Sequence, residues 1–171
     1  MNELINELKI CLSNKLYITA LNTALIIPDI CSALQSSNGK TDGKKYSNWF
    51  NNYVSEKYNG NLLGSDVYKI RCATLHQGKF NSNYDFFDII LFQPPSKTIV
   101  MHNCISAYNG GKSDVALILN IEIFINDIIN GLNNWTEDMK QNHFYENNLK
   151  QSFKLLPNGL LPHISGIPIF A

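Results

Sequence analysis

Leucines recur every fourth position at the start of the chain: Leu4, Leu8 and Leu12, then Leu21 and Leu25. This period gathers them on one face of a helix. Pro28 interrupts the apolar run "TALIIPDICSALQ". A proline inside a helix removes a backbone donor and crowds the preceding turn, so the pattern predicts a kink or a break between two helices at that point. "SSNGKTDGKK" has the Gly, Ser, Asn and Asp content of a loop. In "KKYSNWFNNYVSEKY", Tyr46, Trp49, Phe50, Tyr53 and Lys57 fall at helical spacing and form an aromatic stripe. Such rings can stack on bases, but a place in the core or a dimer interface fits them better, because aromatic rings dominate buried surfaces. A further helix is predicted from Ser65, as N-cap, to about Gln77, with Asp66 in its first turn and Gly78 at the C′ position.

The period then changes. "FFDIILF", the turn "QPPSK" and "TIVMHN" predict two short strands, a β-hairpin inserted at 86–104, and "VALIL" offers a third strand. Ile118, Ile121, Ile125, Ile128, Leu132 and Trp135 step by three and four and predict a long helix. Alternation at Leu117, Leu119, Ile121 and Ile123 competes at its start. Another helix is expected over 137–153. The stretch "LLPNGLLPHISGIPIFA", 155–171, has three prolines and no helical period. It is too apolar to hang in water, so an extended tail docked along the body is expected. The whole reads as one mainly α domain, 1–171, with a hairpin insertion.

Composition bounds the function. At 44% hydrophobic and 16% charged, the chain is apolar enough to fold and too apolar for disorder. Residues 1–85 hold nine basic and seven acidic side chains, and residues 86–171 hold five and seven, so the halves carry +2 and −2. Neither half is the basic stripe of a general nucleic-acid binder, which leaves room only for a small local site. Cys11, Cys31, Cys72 and Cys104 lack the close spacing of a zinc or redox pair. The start "MNELINELK" is polar and unlike a signal peptide. The greasiest run, "VALILNIEIFINDII", is broken by Asn120, Glu122 and Asp127, so no membrane span is expected of it. These features predict a reduced, cytoplasmic protein.

"SDVYKIRCATLHQG", 65–78, carries the candidate chemistry. With Asp66 at 0° on a helical wheel, Ile70, Val67, Leu75, Tyr68 and Cys72 cover an arc from about 40° to about 240°, and Arg71 falls near its centre at about 140°. A buried guanidinium without a partner is very costly. Either an acidic side chain pairs with it, for which Asp29 in its own apolar stretch is the candidate, or this face lines a cleft or subunit interface that receives an anion. His76 lies in the last turn, where the helix dipole favours a cation. Arginine supplies planar phosphate contacts, and histidine moves protons near neutral pH, so the two suffice for acid–base chemistry on a phosphate ester.

Arg71-Cys-Ala-Thr-Leu-His76 resembles the R-x4-6-H motif of HEPN domains, small helical bundles of which many are metal-independent endoribonucleases. In that family two such motifs meet across a homodimer interface, and the RNA 2′-hydroxyl attacks its own phosphate. The resemblance implies that Arg71 binds phosphate and stabilises the transition state, and that His76 is the acid–base residue. It also implies a homodimer, RNA as substrate, 2′,3′-cyclic phosphate as product and no cofactor. A role in bacterial defence or a toxin–antitoxin pair, with a partner protein, is a further implication. "ALIIPDICSAL", "GKKYSNWFNNYV", "YKIRCATLHQG" and "GIPIFA" are similar to a group of uncharacterised bacterial proteins.

Other constellations are weaker. "SAYNGGKS", 106–113, ends like a phosphate-binding loop but has Ser106 where the first glycine belongs. An ordinary turn explains its glycines. "GKTDGKK" lacks the Ser or Thr that such a loop needs for magnesium. His102 and Cys104 make half a zinc site at most. Two readings stand: a metal-independent endoribonuclease using Arg71 and His76, and a non-catalytic helical binding or scaffold module in which Asp29 neutralises Arg71.

Overall fold

A computed structural model describes residues 1–80, 84–109 and 113–171. The Leu4–Leu8–Leu12 period forms α1, Asn2–Ser13. The chain turns through Lys15, whose φ is +59°, into α2, Tyr17–Leu34. Pro28 does not split this helix as its chemistry predicts; it lies buried inside it. Pro28 leaves the Ala24 carbonyl without its usual donor, and beside it the Tyr46 hydroxyl, from a distant part of the chain, donates to Leu25 O at 2.8 Å.

Helix α3, Gly43–Tyr53, begins at Asp42, whose carboxylate accepts from Lys45 N at 2.8 Å. The aromatic stripe is core: Tyr46, Trp49 and Phe50 are fully buried, so they are not a base-stacking surface. Lys57 lies beyond the helix, in a 3-10 turn at Ser55–Tyr58. Helix α4 covers Gly64–Gln77 and packs on α3 and α2.

Three strands follow, and they are not the pair expected. β1 is Ile89–Gln93, β2 is Cys104–Asn109 and β3 is Ser113–Asn120. The sheet order is β1-β3-β2. β3 pairs parallel with β1, Ile89 opposite Ala116, and antiparallel with β2, Cys104 opposite Ile118. The 86–104 hairpin is therefore corrected: "FFDIILF" contributes a strand, but "TIVMHN" does not. β3 lies between β2, the strand before it in sequence, and β1 on the other edge. Ile99 and Val100 are left exposed. Ile90, Leu117 and Leu119 point to the helices and are buried.

Helix α5, Ile121–Asp138, starts three residues later than the Ile118 periodicity predicts. Strand pairing holds the chain through Asn120, and the Asn120 side chain then caps the helix by accepting from Glu122 N and Ile123 N, both at 3.1 Å. The helix expected over 137–153 is shorter. A 3-10 turn at Met139–Gln141 precedes Asn142, which caps α6, His143–Lys150. Asn148 of α6 donates to Leu34 O and Ser36 O at the end of α2.

The segment after α6 differs from the expected docked tail. It folds back on itself as a ribbon: β4, Leu155–Leu156, pairs with β7, Ile169–Phe170, and β5, Gly159–Leu160, pairs with β6, Ile164–Ser165. None of its residues is fully buried. The molecule is mainly α, with one core cluster built on Trp49, Trp135, Tyr46, Tyr58, Phe50 and Phe124. Among the described residues, α2 is the one helix long and apolar enough to cross a membrane. Half of that stretch is buried within the fold.

Candidate functional site

Helix α4 begins two residues earlier than an N-cap at Ser65 predicts. Leu63 occupies the N-cap position, and its backbone N–H donates to the Asp66 carboxylate at 3.2 Å. Gly64 opens the helix because α3 passes too close for any side chain. A Cβ there would sit 2.1 Å from Ser47 O. The end is as expected: Gly78 adopts φ +62°, and its N–H bonds Thr74 O at 3.2 Å.

Beyond Gly64 at its start, the buried face of α4 consists of Asp66, Val67, Ile70 and Ala73. On the wheel these centre near 40°, so Arg71, at about 140°, lies at the margin of the buried arc rather than at its middle. Leu75, expected within the arc, is exposed. The marginal position lets Arg71 serve two neighbours. Its Nε donates to Asp29 Oδ2 at 2.7 Å, closing an ion pair between α4 and α2. Its Nη1 lies 3.1 Å from His76 Nε2. Nη1 also stands 3.9 Å from Cys72 Sγ. A guanidinium only donates, so His76 Nε2 can only be the acceptor in this contact.

The side chain of Arg71 is 22% exposed and that of Asp29 13%, whereas His76 is open to solvent. Burial pushes the Asp29 carboxyl above its ordinary value, and the Arg71 charge and hydrogen bond recover only part of that. Burial also acts against the Arg71 charge, but Asp29 and the Cys72 contact outweigh it and hold the guanidinium above its ordinary value. The two directions disagree about how well the pair suits its charges. The guanidinium cannot lose its proton in any accessible range, so Asp29 is the strained member. Tyr46 and Tyr68 pack beside the pair with ring centroids 5.2 Å apart.

A second polar cluster escaped the pattern. Lys57 Nζ donates to Asp127 Oδ1 at 2.6 Å, and the Tyr58 hydroxyl donates to Oδ2 at 3.1 Å. His102 Nε2 stands 3.9 Å from the same Oδ2, with its ring against Tyr58. Burial lowers the His102 pKa from its ordinary value, despite the pull of Asp127. Asp127 was visible as a charge inside an apolar helical stretch, the same signal that singles out Arg71. Its partners are distant in sequence, and only folding joins them.

His102 and Cys104 do not converge on a metal. The Cys104 thiol donates to the His102 backbone carbonyl at 3.4 Å. Among the described residues no three His, Cys, Asp or Glu side chains gather as a metal site. The four cysteines carry free thiols. Gly110, Gly111 and Lys112 of the loop-like "SAYNGGKS" lie outside the described residues. Comparison with models of known families, with curated proteins and with solved structures finds no match to the chain.

Proposed function

We propose that the protein is a metal-independent endoribonuclease of HEPN type, and that Arg71 and His76 carry the reaction. The observation that supports this reading is the approach of Arg71 Nη1 to His76 Nε2, 3.1 Å apart at the surface end of α4. When a phosphate draws Nη1 away from His76, the freed Nε2 of a neutral imidazole takes the proton of an RNA 2′-hydroxyl as its oxygen attacks the adjacent phosphorus. The guanidinium stabilises the negative charge that grows on the phosphoryl oxygens. The bond from phosphorus to the 5′-oxygen breaks, and that oxygen receives a proton from the imidazolium. The products are a 2′,3′-cyclic phosphate and a 5′-hydroxyl. Asp29 orients the guanidinium through Nε and leaves Nη1 facing His76. A second copy presenting the same pair across a homodimer completes the arrangement of this reading.

The ion pair itself favours the other reading. Arg71 has a carboxylate partner within its own subunit at 2.7 Å, as a non-catalytic helical binding module requires. The deciding experiment is cleavage of total cellular RNA, tRNA included, by purified protein in EDTA. Cleavage leaving 2′,3′-cyclic ends, reduced about 100-fold or more in folded Arg71→Ala and His76→Ala variants, is the expected result. Intact RNA in every sample assigns the ion pair to folding alone.

A further inference from the structure

The connection from β1 to β2, residues 94–103, is pinned at two points. Gln93 holds its middle, donating through Nε2 to Ile99 O at 3.1 Å and accepting from Met101 N at 2.8 Å. Its end is held by the 3-10 turn at Ser55–Tyr58 and the residues just after it. Asn103 Nδ2 donates to Tyr58 O, and Asn61 Nδ2 donates to Asn103 Oδ1, both at 3.1 Å. The His102 ring rests against the Tyr58 ring, with centroids 5.4 Å apart. Neighbouring side chains of an extended strand point to opposite sides. Asn103 breaks that alternation by taking φ +54°, a left-handed conformation that Asn tolerates, and both side chains reach the turn.

The His102 side chain is 18% exposed. Its Nε2 faces Asp127 Oδ2 at 3.9 Å, too far for a hydrogen bond. That carboxylate already accepts from Lys57 Nζ and from the Tyr58 hydroxyl. Nδ1 is sealed from solvent and has no hydrogen-bond partner among the described residues, although the Asn120 backbone also faces the ring. Cys104 of β2 completes the surroundings, its thiol donating to the His102 carbonyl. A neutral imidazole carries one N–H, which Nε2 can direct at Asp127, whereas an imidazolium carries two. The second, at Nδ1, is then buried without an acceptor, which disfavours the docked ring. Burial holds the His102 pKa below its ordinary value, and Asp127 and the Asn120 backbone recover only part of the difference.

We propose that His102 is an acid-sensitive latch, and that its protonation frees the end of the β1–β2 connection, residues 99–103, from the 3-10 turn and α5. Neutral, the ring lies flat in its site beside Tyr58. Protonated, it finds acceptors for both N–H groups only in water, and its departure takes Asn103 with it. The open form therefore binds one proton more readily than the docked form. Docking is complete above the ordinary histidine value of about 6.5 and weakens as pH falls toward the docked value. Between those two values the opening equilibrium grows up to about tenfold per pH unit. Asp127 stays behind with Lys57 and Tyr58, so its charge remains paired when the loop leaves.

The test is hydrogen exchange of the full chain, followed by NMR at about pH 7.5 and about pH 5.5 and corrected for the intrinsic rate at each. The probe is the Asn103 side-chain amide, and the reference is the Ile128 amide in the core of α5. In wild type the protection of Asn103 is expected to fall about three- to tenfold at the lower pH. A local opening exposes little surface, so low urea is expected to speed exchange at Ile128 but not at Asn103. In His102→Gln the protection of Asn103, whatever its size, is expected to be the same at both pH values. Equal protection of wild type at the two pH values overturns the inference. So does an equal fall in His102→Gln, or exchange of Asn103 and Ile128 at one urea-sensitive rate, which means that the loop opens only with the whole molecule. Wild type alone decides the matter if the glutamine variant does not fold. Its His102 ring, followed by the Cε1 shift, is expected to titrate below about 6.5, and titration at or above that value overturns the latch.

Discussion

Arg71 and Asp29 hold unequal positions in their pair, and substitutions separate them. Asp29→Ala leaves the Nε of a half-buried guanidinium without its acceptor and is expected to cost about 1–3 kcal/mol in urea denaturation. Asp29→Asn keeps an oxygen for Nε and relieves the buried carboxylate, so a smaller loss is expected. If the two variants unfold alike, the hydrogen bond at Nε is not what matters. In cleavage assays Arg71→Lys is expected to behave like Arg71→Ala, because an ammonium cannot bond Asp29 and face His76 in one plane. His102 supplies a pH dependence. Its folded-state pKa lies below the unfolded value of about 6.5, so the folded state resists protonation. The stability this represents is present above that unfolded value and is lost as pH falls through the folded one. Facing His102 are Asp127 of α5, with Lys57 and Tyr58 of the 3-10 turn. The melting temperature of wild type is expected to drop more than that of His102→Gln between about pH 7 and about pH 5. Equal drops in both would place the acid sensitivity elsewhere.

The elements carry their own constraints. Helices α3 and α4 cross with the Gly64 backbone against Ser47, where an added methyl would meet a carbonyl at 2.1 Å. Gly64→Ala therefore forces the helices apart and is expected to cost roughly 3 kcal/mol or more in chemical denaturation. That displacement also shifts Arg71 relative to α2, so RNA cleavage is expected to fall with it. Tyr46→Phe removes the donor that bridges Leu25 O beside Pro28, at a cost of about 1 kcal/mol. The helices were largely legible because their periods are long, and Gly78 marked the end of α4, whereas the N-cap expected at Ser65 fell at Leu63 and the cap at Asp42 lay within a loop-like stretch. The sheet was less so. Pairing joins Ile89 to Ala116 and Cys104 to Ile118, and no local pattern states which of several short apolar runs will find a partner.

Charge belongs to the molecule taken together. With a formal net charge of zero, the protein has no broad field to gather RNA, and the proposed site offers a single guanidinium already paired. RNA binding is accordingly expected to depend weakly on salt, with log K against log salt falling by about 0.7 per phosphate contact and by no more than about two in total. A steep slope in a titration from low to high salt would reveal a basic surface that Arg71 does not represent. The ribbon at 155–171 belongs to this level too. Its composition announced an apolar segment in need of cover, yet its pairing is with itself, and its remaining surface faces outward.

Short-range physics was written in the order of residues: helical periods, the glycine after α4, the oddity of a cation and a carboxylate in apolar stretches. Those terms act within a few residues, so the chain states them locally. The meeting of Arg71 with Asp29, 42 positions apart, was inferred as a candidate because a buried charge must find its opposite. The margin position of Arg71, the reach of Nη1 to His76, the Lys57–Asp127–His102 cluster and the choice of β2 over "TIVMHN" came only with the assembled fold. Each depends on which surfaces exclude water together, and that is a property of packing among distant segments.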